Sequence, residues 1–334
     1  MSADDLWGSN ELATLDEVRE AQAALKTYDD VLRTPQLNDW PVGGKNISLK
    51  LESLQTTGSF KLRGMRYKLH RSDVEQLRSA GVVTLSAGNA GRAVSYLGQA
   101  TGYSAKVFMP ASAPDDRKVM MESMGATVVK VPGEKLLDAV AECIQQEQRV
   151  LVHPFDDVDI IRGHASCGLE ILEDAPDADV VVVCCGGGGL LAGVAAAVKL
   201  SGSKARVVGV EPEGAQSMAL SVASGKAEWC PDGGKTSTIA HGLAPPFAGR
   251  ACFNHVKAFV DEVVTVTDDE MRVATRALFR AGVVAEVSGA AAVAAMLAGK
   301  LGDVDGKKVV CTVSGRNIEV DEYEHALSER PMEH

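Results

Sequence analysis

VVVVCCGGGGLLAGVAAAV, residues 180–198, is the stretch that decides the fold. It carries no charged residue and is about long enough to span a bilayer as one helix. Four consecutive glycines, Gly186 to Gly189, divide it instead, because a residue without a Cβ weakens helix and strand interiors and lets the backbone turn sharply. What remains is a buried strand over 180–185 feeding a helix that begins near Leu190. An uninterrupted apolar strand is buried on both faces, which points to a parallel sheet sandwiched by helices.

The same alternation runs outward in both directions. Short apolar strands are expected at 82–85, 105–109, 127–131, 150–152, 207–210 and 308–313. Helices are expected at 91–101, 115–124, 134–146, 160–173, 215–225, 268–281 and 288–301. Upstream, Leu15, Val18, Ala21, Leu25 and Tyr28 recur at helical spacing, predicting a helix that runs to Thr34-Pro35, with a short strand at 47–51 beyond it. The glycine-, serine- and threonine-rich stretch 228–241 reads as a loop carrying ligand contacts. Repeated strand-helix units mean an α/β protein with parallel-type sheets and right-handed crossovers, and residues 82–152 form a compact αβα unit among them.

Composition narrows the function. Apolar residues make up 46% and charged residues 24%, as in a soluble globular protein. A net charge of −11 opposes nucleic acid, and no basic stripe with interleaved aromatics offsets it. The seven cysteines are scattered, odd in number and mostly inside apolar runs, which predicts free thiols, a reducing compartment and no structural zinc. The first residues lack a basic region followed by an apolar one, so no signal peptide is expected. No membrane span is expected either, and the partner is a small molecule.

Four segments carry chemistry. Gly186–Gly189 at a strand-to-helix junction lets backbone N–H groups approach an anion, with the helix N-terminus adding positive potential. No Gly-Lys-Ser/Thr follows, and the spacing of a dinucleotide fingerprint is absent, so a cofactor phosphate is expected. Ser86-Ala87-Gly88-Asn89-Ala90-Gly91, also between strand and helix, offers a second set of amides for a substrate carboxylate, and reads equally well as a helix cap. Lys61, within Ser59-Phe60-Lys61-Leu62-Arg63-Gly64, is a candidate Schiff-base former, since burial lowers an amine's pKa and frees its lone pair. Ser314 follows the last strand, at the carboxyl edge of a sheet where α/β proteins bind ligands.

In this order the four segments resemble the pyridoxal-phosphate-dependent serine/threonine dehydratase and serine racemase family, of tryptophan synthase beta-like fold, over residues 30 to 320. The resemblance implies that Lys61 bonds the cofactor aldehyde and that Gly186, Gly187, Gly188 and Gly189 hold its phosphate. It also implies that Asn89 contacts the ring oxygen and Ser314 the pyridine nitrogen, with Phe60, Gly242 and Glu286 close by. The substrate would rest on Ser86, Ala87, Gly88, Asn89 and Ala90. Lys61 would remove the Cα proton, and loss of a β-hydroxyl would yield a 2-oxo acid and ammonia. By the same resemblance a small domain of residues 60–153 is inserted into a large one of residues 1–59 and 154–334, the protein is a cytoplasmic homodimer, and no regulatory domain is expected beyond Asn317.

Departures from the family pattern bear on the substrate. Ala87 stands where the racemases carry a proton-donating serine, which favours elimination, as do the dehydratase-like segments at 153–157 and 163–166. Arg316 replaces the usual glycine and His241 the usual aspartate, so either residue can meet a second carboxylate or simply face solvent. Hydroxyaspartate and phenylserine dehydratases, a serine or aspartate racemase, and a non-catalytic amino-acid binder are the alternatives. Of the family's cation site, Glu211 and Ala215 match and Ser217 does not, leaving open a monovalent or a divalent ion.

Overall fold

The structure is a computed structural model and describes residues 6–328. Among the described residues ten strands form two sheets. The larger contains β1 (Gln36–Val42), β2 (Lys45–Lys50), β7 (Val180–Cys184), β8 (Arg206–Pro212), β9 (Glu262–Val266) and β10 (Val309–Thr312). The smaller contains β3 (Val82–Leu85), β4 (Ala105–Pro110), β5 (Thr127–Val131) and β6 (Val150–Leu151).

The large sheet has the order β1-β2-β10-β7-β8-β9, parallel throughout except for the antiparallel β1-β2 hairpin. Its last strand in sequence, β10, therefore lies in its interior, between β2 and β7. Every residue of β7 is buried, as an uninterrupted valine run should be when helices cover both faces. Burying one such side chain fully is worth about 1.5–3 kcal/mol. The small sheet is all parallel in the order β5-β4-β3-β6, and Leu62, Met65, Val94, Leu97, Val107 and Met121 pack together in its core.

Most expected elements appear within two or three residues of their predicted ends. The N-terminal helix is shorter, Leu15–Leu25, and does not reach Thr34-Pro35. Its start is fixed by a Thr14/Glu17 capping box, and past Leu25 the N–H groups of Thr27 and Tyr28 bond only three residues back, which ends the α-helical ladder. The helix expected over 288–301 is a 3-10 turn, Val287–Ala290, followed by Ala291–Leu297, and Gly299 with φ +71° closes it. Within the expected loop 228–241, Pro231–Gly234 makes one short kinked turn. Strands β1 and β9 and helices Lys61–Arg71, Val74–Ser79, Arg250–Phe259 and Val320–Leu327 were not predicted.

Candidate active site

A cavity of about 1120 Å³ opens where the carboxyl ends of β3, β7 and β10 converge. Phe60, Lys61, Ser86 to Ala90, Gly186 to Gly189, Gly242, Glu286 and Ser314 all line it. Segments widely separated in sequence thus reach one chamber; Ser86, Gly186 and Ser314 come just after the ends of β3, β7 and β10, while Lys61, Gly242 and Glu286 arrive from connecting segments.

Lys61 begins the helix Lys61–Arg71. The preceding residues are clamped to the end of the chain's last strand: Ser59 bridges Gly315, and Phe60 N–H donates to the Ser314 carbonyl at 3.0 Å. This backbone ladder sets lysine and serine segments side by side. Lys61 Nζ lies 4.9 Å from the Phe60 ring centroid and donates to the Pro154 carbonyl at 2.5 Å. Burial pushes the amine down to about 8, against an upward pull from Cys252 and Cys184. A lysine in that state releases its proton far more readily than one on the surface.

The glycine turn is built to admit no side chain. A Cβ on Gly187 would overlap the Phe155 ring, and one on Gly188 would fall 2.8 Å from Cys252 Cβ at a backbone φ of +102°. Helix Gly189–Leu200 starts there, so its unsatisfied first-turn N–H groups face the cavity end of the turn.

On the other wall, Ser86 Oγ accepts from Gly88 N–H at 3.1 Å, and helix Asn89–Thr101 follows. Asn89 Nδ2 donates to Glu286 Oε1 at 2.6 Å, while Asn89 Oδ1 accepts from Asn317 Nδ2 at 2.6 Å. Asn317 also donates to the Thr57 carbonyl, so a polar chain crosses the cavity from 57 to 286. Burial raises the Glu286 carboxyl to about 7, and the Asn89 hydrogen bond opposes this. Ser314 is buried, with its hydroxyl in hydrogen-bond reach of Cys184, and Gly242 N–H donates to Ser288 Oγ at 2.9 Å.

Glu211 and Ala215 do not line this cavity. Glu211 is buried, accepts from Met218 N–H and Ala219 N–H at 2.8 Å each, and is raised by burial to about 8 despite those bonds. Among the described residues no group of three or more His, Cys, Asp or Glu side chains is placed to hold a metal ion. Arg316 and His241 are exposed, and both stand at the cavity's rim. All seven cysteines are free and buried. Among the described residues no helix is long and apolar enough to cross a membrane.

The contribution of the 153–164 segment was not foreseen residue by residue. His153 Nδ1 accepts from the N–H groups of Phe155 and Asp156, at 3.2 and 2.7 Å, which shapes the turn holding the Pro154 carbonyl beside Lys61. Asp156 in turn accepts from Gly8, Arg250 and Cys252 N–H. His164 packs on the Phe60 ring at 4.8 Å, and burial, then Lys61 and Arg63, hold it neutral. The one available signal was a His-Pro-Phe directly after a strand.

An amine disposed to lose its proton, a side-chain-free anion turn and a buried hydroxyl around one chamber define a site for a phosphorylated carbonyl cofactor. Residues 31–315 match the model of the pyridoxal-phosphate dependent enzymes. The chain is 40% identical over 323 residues to an L-threonine ammonia-lyase of Thermotoga maritima, covering 93% of this chain and 77% of that one. It is 39% identical over 280 residues to a catabolic L-threonine dehydratase of Escherichia coli, covering 82% and 83%. Maize serine racemase superposes with a TM-score of 0.85 at 31% identity, covering 95% and 97%. The chain belongs to the pyridoxal-phosphate-dependent enzyme family, and pyridoxal phosphate is its cofactor. The cavity fits that group: the glycine turn, packed from behind by Phe155, Met218 and Cys252, brings no side chain to the chamber that Lys61 also lines.

Proposed function

We propose that this enzyme is an ammonia-lyase that acts on L-serine, L-threonine or a related β-hydroxy amino acid and releases a 2-oxo acid and ammonia. The observation that carries this is Lys61, a buried amine lowered to about 8 on the floor of the chamber that also holds the glycine turn. When bound, pyridoxal phosphate supplies an aldehyde for an amine and a ring that accepts the electron pair released at Cα. Gly186–Gly189 would hold its phosphate through backbone N–H groups, and Ser314 its pyridine nitrogen. Phe60 and Gly242 would lie against the ring, with Asn89 and Glu286 at the ring oxygen.

Lys61 then serves as the base at Cα, a role that suits an amine with a working pKa near neutrality. Ser86 to Ala90 would orient the substrate's α-carboxylate through backbone N–H groups. Ser314, a neutral hydroxyl, would bring no proton-donating charge to the ring nitrogen. Ala87 has no proton to give to the face opposite Lys61, so elimination is favoured over racemisation. The likeness to a serine racemase supports the second reading, and a chirality assay on L-serine separates the two. The two sheets support a small unit of residues 60–153 closing on a large one of 1–59 and 154–334. We also place the enzyme in the cytoplasm as a homodimer, a reading that seven buried free thiols suit as far as the compartment goes.

Borohydride reduction followed by peptide mapping should find the cofactor on Lys61, and a panel with threonine, serine, phenylserine and hydroxyaspartate should yield 2-oxo acid and ammonia in equal amounts. A cofactor bound elsewhere, or D-serine without pyruvate, defeats the proposal.

A further inference from the structure

Behind the first turn of the Lys61 helix lies a cluster of charges that faces away from the cavity. Arg63 is 1% exposed, Lys50 and Glu52 are 0%, and Glu170 is 4%. The Arg63 guanidinium forks onto both neighbours: Nε and Nη2 donate to Glu52 at 2.8 Å each, and Nη1 and Nη2 donate to Glu170 at 2.8 and 2.7 Å. Nη1 also donates to Ser166 Oγ at 3.1 Å and Nη2 to Thr34 Oγ1 at 3.3 Å. Lys50 Nζ closes the set, donating to Glu170 and to the Thr34 carbonyl at 2.7 Å each. These four buried groups balance two cations against two carboxylates, and Lys50 Nζ lies a further 3.9 Å from the partly exposed Asp174. Burial works against the Glu52 charge, but Arg63, with Lys50 and Thr34, outweighs it and holds the carboxyl below its ordinary value.

Stability alone does not account for such a cluster, because well-packed apolar side chains of similar volume usually do as well or better. What apolar side chains cannot supply is direction. A planar fork with every donor engaged fixes a guanidinium in place and orientation. It joins β2, the turn at Glu52–Leu54 and helix Val158–Asp174 to the third residue of the Lys61 helix. Residues two apart on a helix project about 200° from each other, so Arg63 grips the back of the turn whose front presents Lys61.

We propose that Arg63, held by Glu52 and Glu170, is a positioning residue that fixes where the Lys61 amine sits in the cavity. This rests on the reading of Lys61 as the reacting amine. The first measurement tests that reading alone: borohydride mapping of the wild-type holoenzyme must place the cofactor on Lys61. The second compares wild type with Arg63→Lys, which keeps the charge and loses the fork. In the ligand-free chain, pH-resolved competitive acylation of Lys61 with acetic anhydride, read by peptide mass spectrometry, should give a wild-type midpoint of about 8.

The titratable groups around that amine, His153, His164, Cys184 and Cys252, all remain in the variant, and the lysine at 63 keeps the positive charge that acts on His164. In folded Arg63→Lys the midpoint should rise toward the ordinary lysine value as water reaches the displaced amine. In the holoenzyme kcat should fall about a hundredfold with KM within about threefold, the mark of a misplaced reacting group. If Arg63→Lys does not fold, Ser166→Ala, which removes one Arg63 contact, should show the same two changes on a smaller scale. Wild-type labelling at Lys61 with an unchanged midpoint and kcat in the folded variant overturns the proposal and leaves the lysine assignment standing.

Discussion

Two strand-to-helix turns face each other across the cavity, and they are built on opposite plans. The turn after β7 is glycine at four positions, and at Gly187 and Gly188 it is packed from behind by Phe155, Met218 and Cys252, leaving backbone N–H groups as its only offering. The turn after β3 keeps side chains at Ser86, Ala87 and Asn89, and a Cβ placed on Gly88 would meet nothing closer than Arg117 Nη1 at 3.8 Å. A surface of bare amides suits one invariant anion, and a surface with side chains and spare room suits a ligand that must be told apart from others. Under the function proposed above, the permanent group would rest on the first turn and the transient one on the second.

The sharpest way to break that contrast is Gly187→Ala. Overpacking against Phe155 should cost about 1–3 kcal/mol, a loss of about 5- to 150-fold if it falls on cofactor affinity. Cofactor content by absorbance and a thermal melt will read it, and a variant that keeps both wild-type cofactor affinity and wild-type melting refutes the packing account. Next is the amine between the turns. Its folded-state pKa is lowered to about 8, so the attacking neutral form is scarce below that pH and dominant above it. Cofactor uptake by the ligand-free chain should therefore accelerate about tenfold per pH unit up to 8 and then level off, as stopped-flow mixing can show.

Gly88→Ala should act on the other turn only. With open space at Cβ, stability should stay within about 0.5 kcal/mol and cofactor content should be unchanged. KM for the amino acid should rise several-fold. A variant that loses cofactor instead would erase the distinction between the turns. Smallest in size is Ala87→Ser, which introduces a hydroxyl proton donor without enlarging the core. Trace D-serine should appear beside undiminished pyruvate, measurable by chiral chromatography.

Much of this organisation could be read before any coordinates. The β3 and β5 bounds are those expected, and β4 and β7 differ by one residue at one end, because each is a short apolar run bounded by turn residues. Lys61 by itself carries little signal and stands out in the sequence only in company with the 86–91, 186–189 and 314–317 segments, which the fold brings to one chamber. The Lys61 helix was not legible, since its buried face includes Arg63 and Arg66, which hydropathy places in water. Arg66 is accommodated by Asp30 and Arg63 by Glu52 and Glu170, partners that only the folded chain supplies. Strand β1 escaped because Asn38, Asp39, Trp40 and Pro41 along it are exposed. Pro154, His164 and Asn317 lie in segments that the sequence singles out, but their partners, the Lys61 amine, the Phe60 ring and Asn89, are supplied by tertiary structure alone.

The placement of β10 has a consequence for how the molecule comes into being. Because residues 309–312 fill the gap between β2 and β7, a chain emerging from the ribosome carries two open strand edges from the making of β7 until residue 312 has been added. The sheet can be sealed only then, so over more than a hundred residues of synthesis the nascent protein stays exposed to sticking.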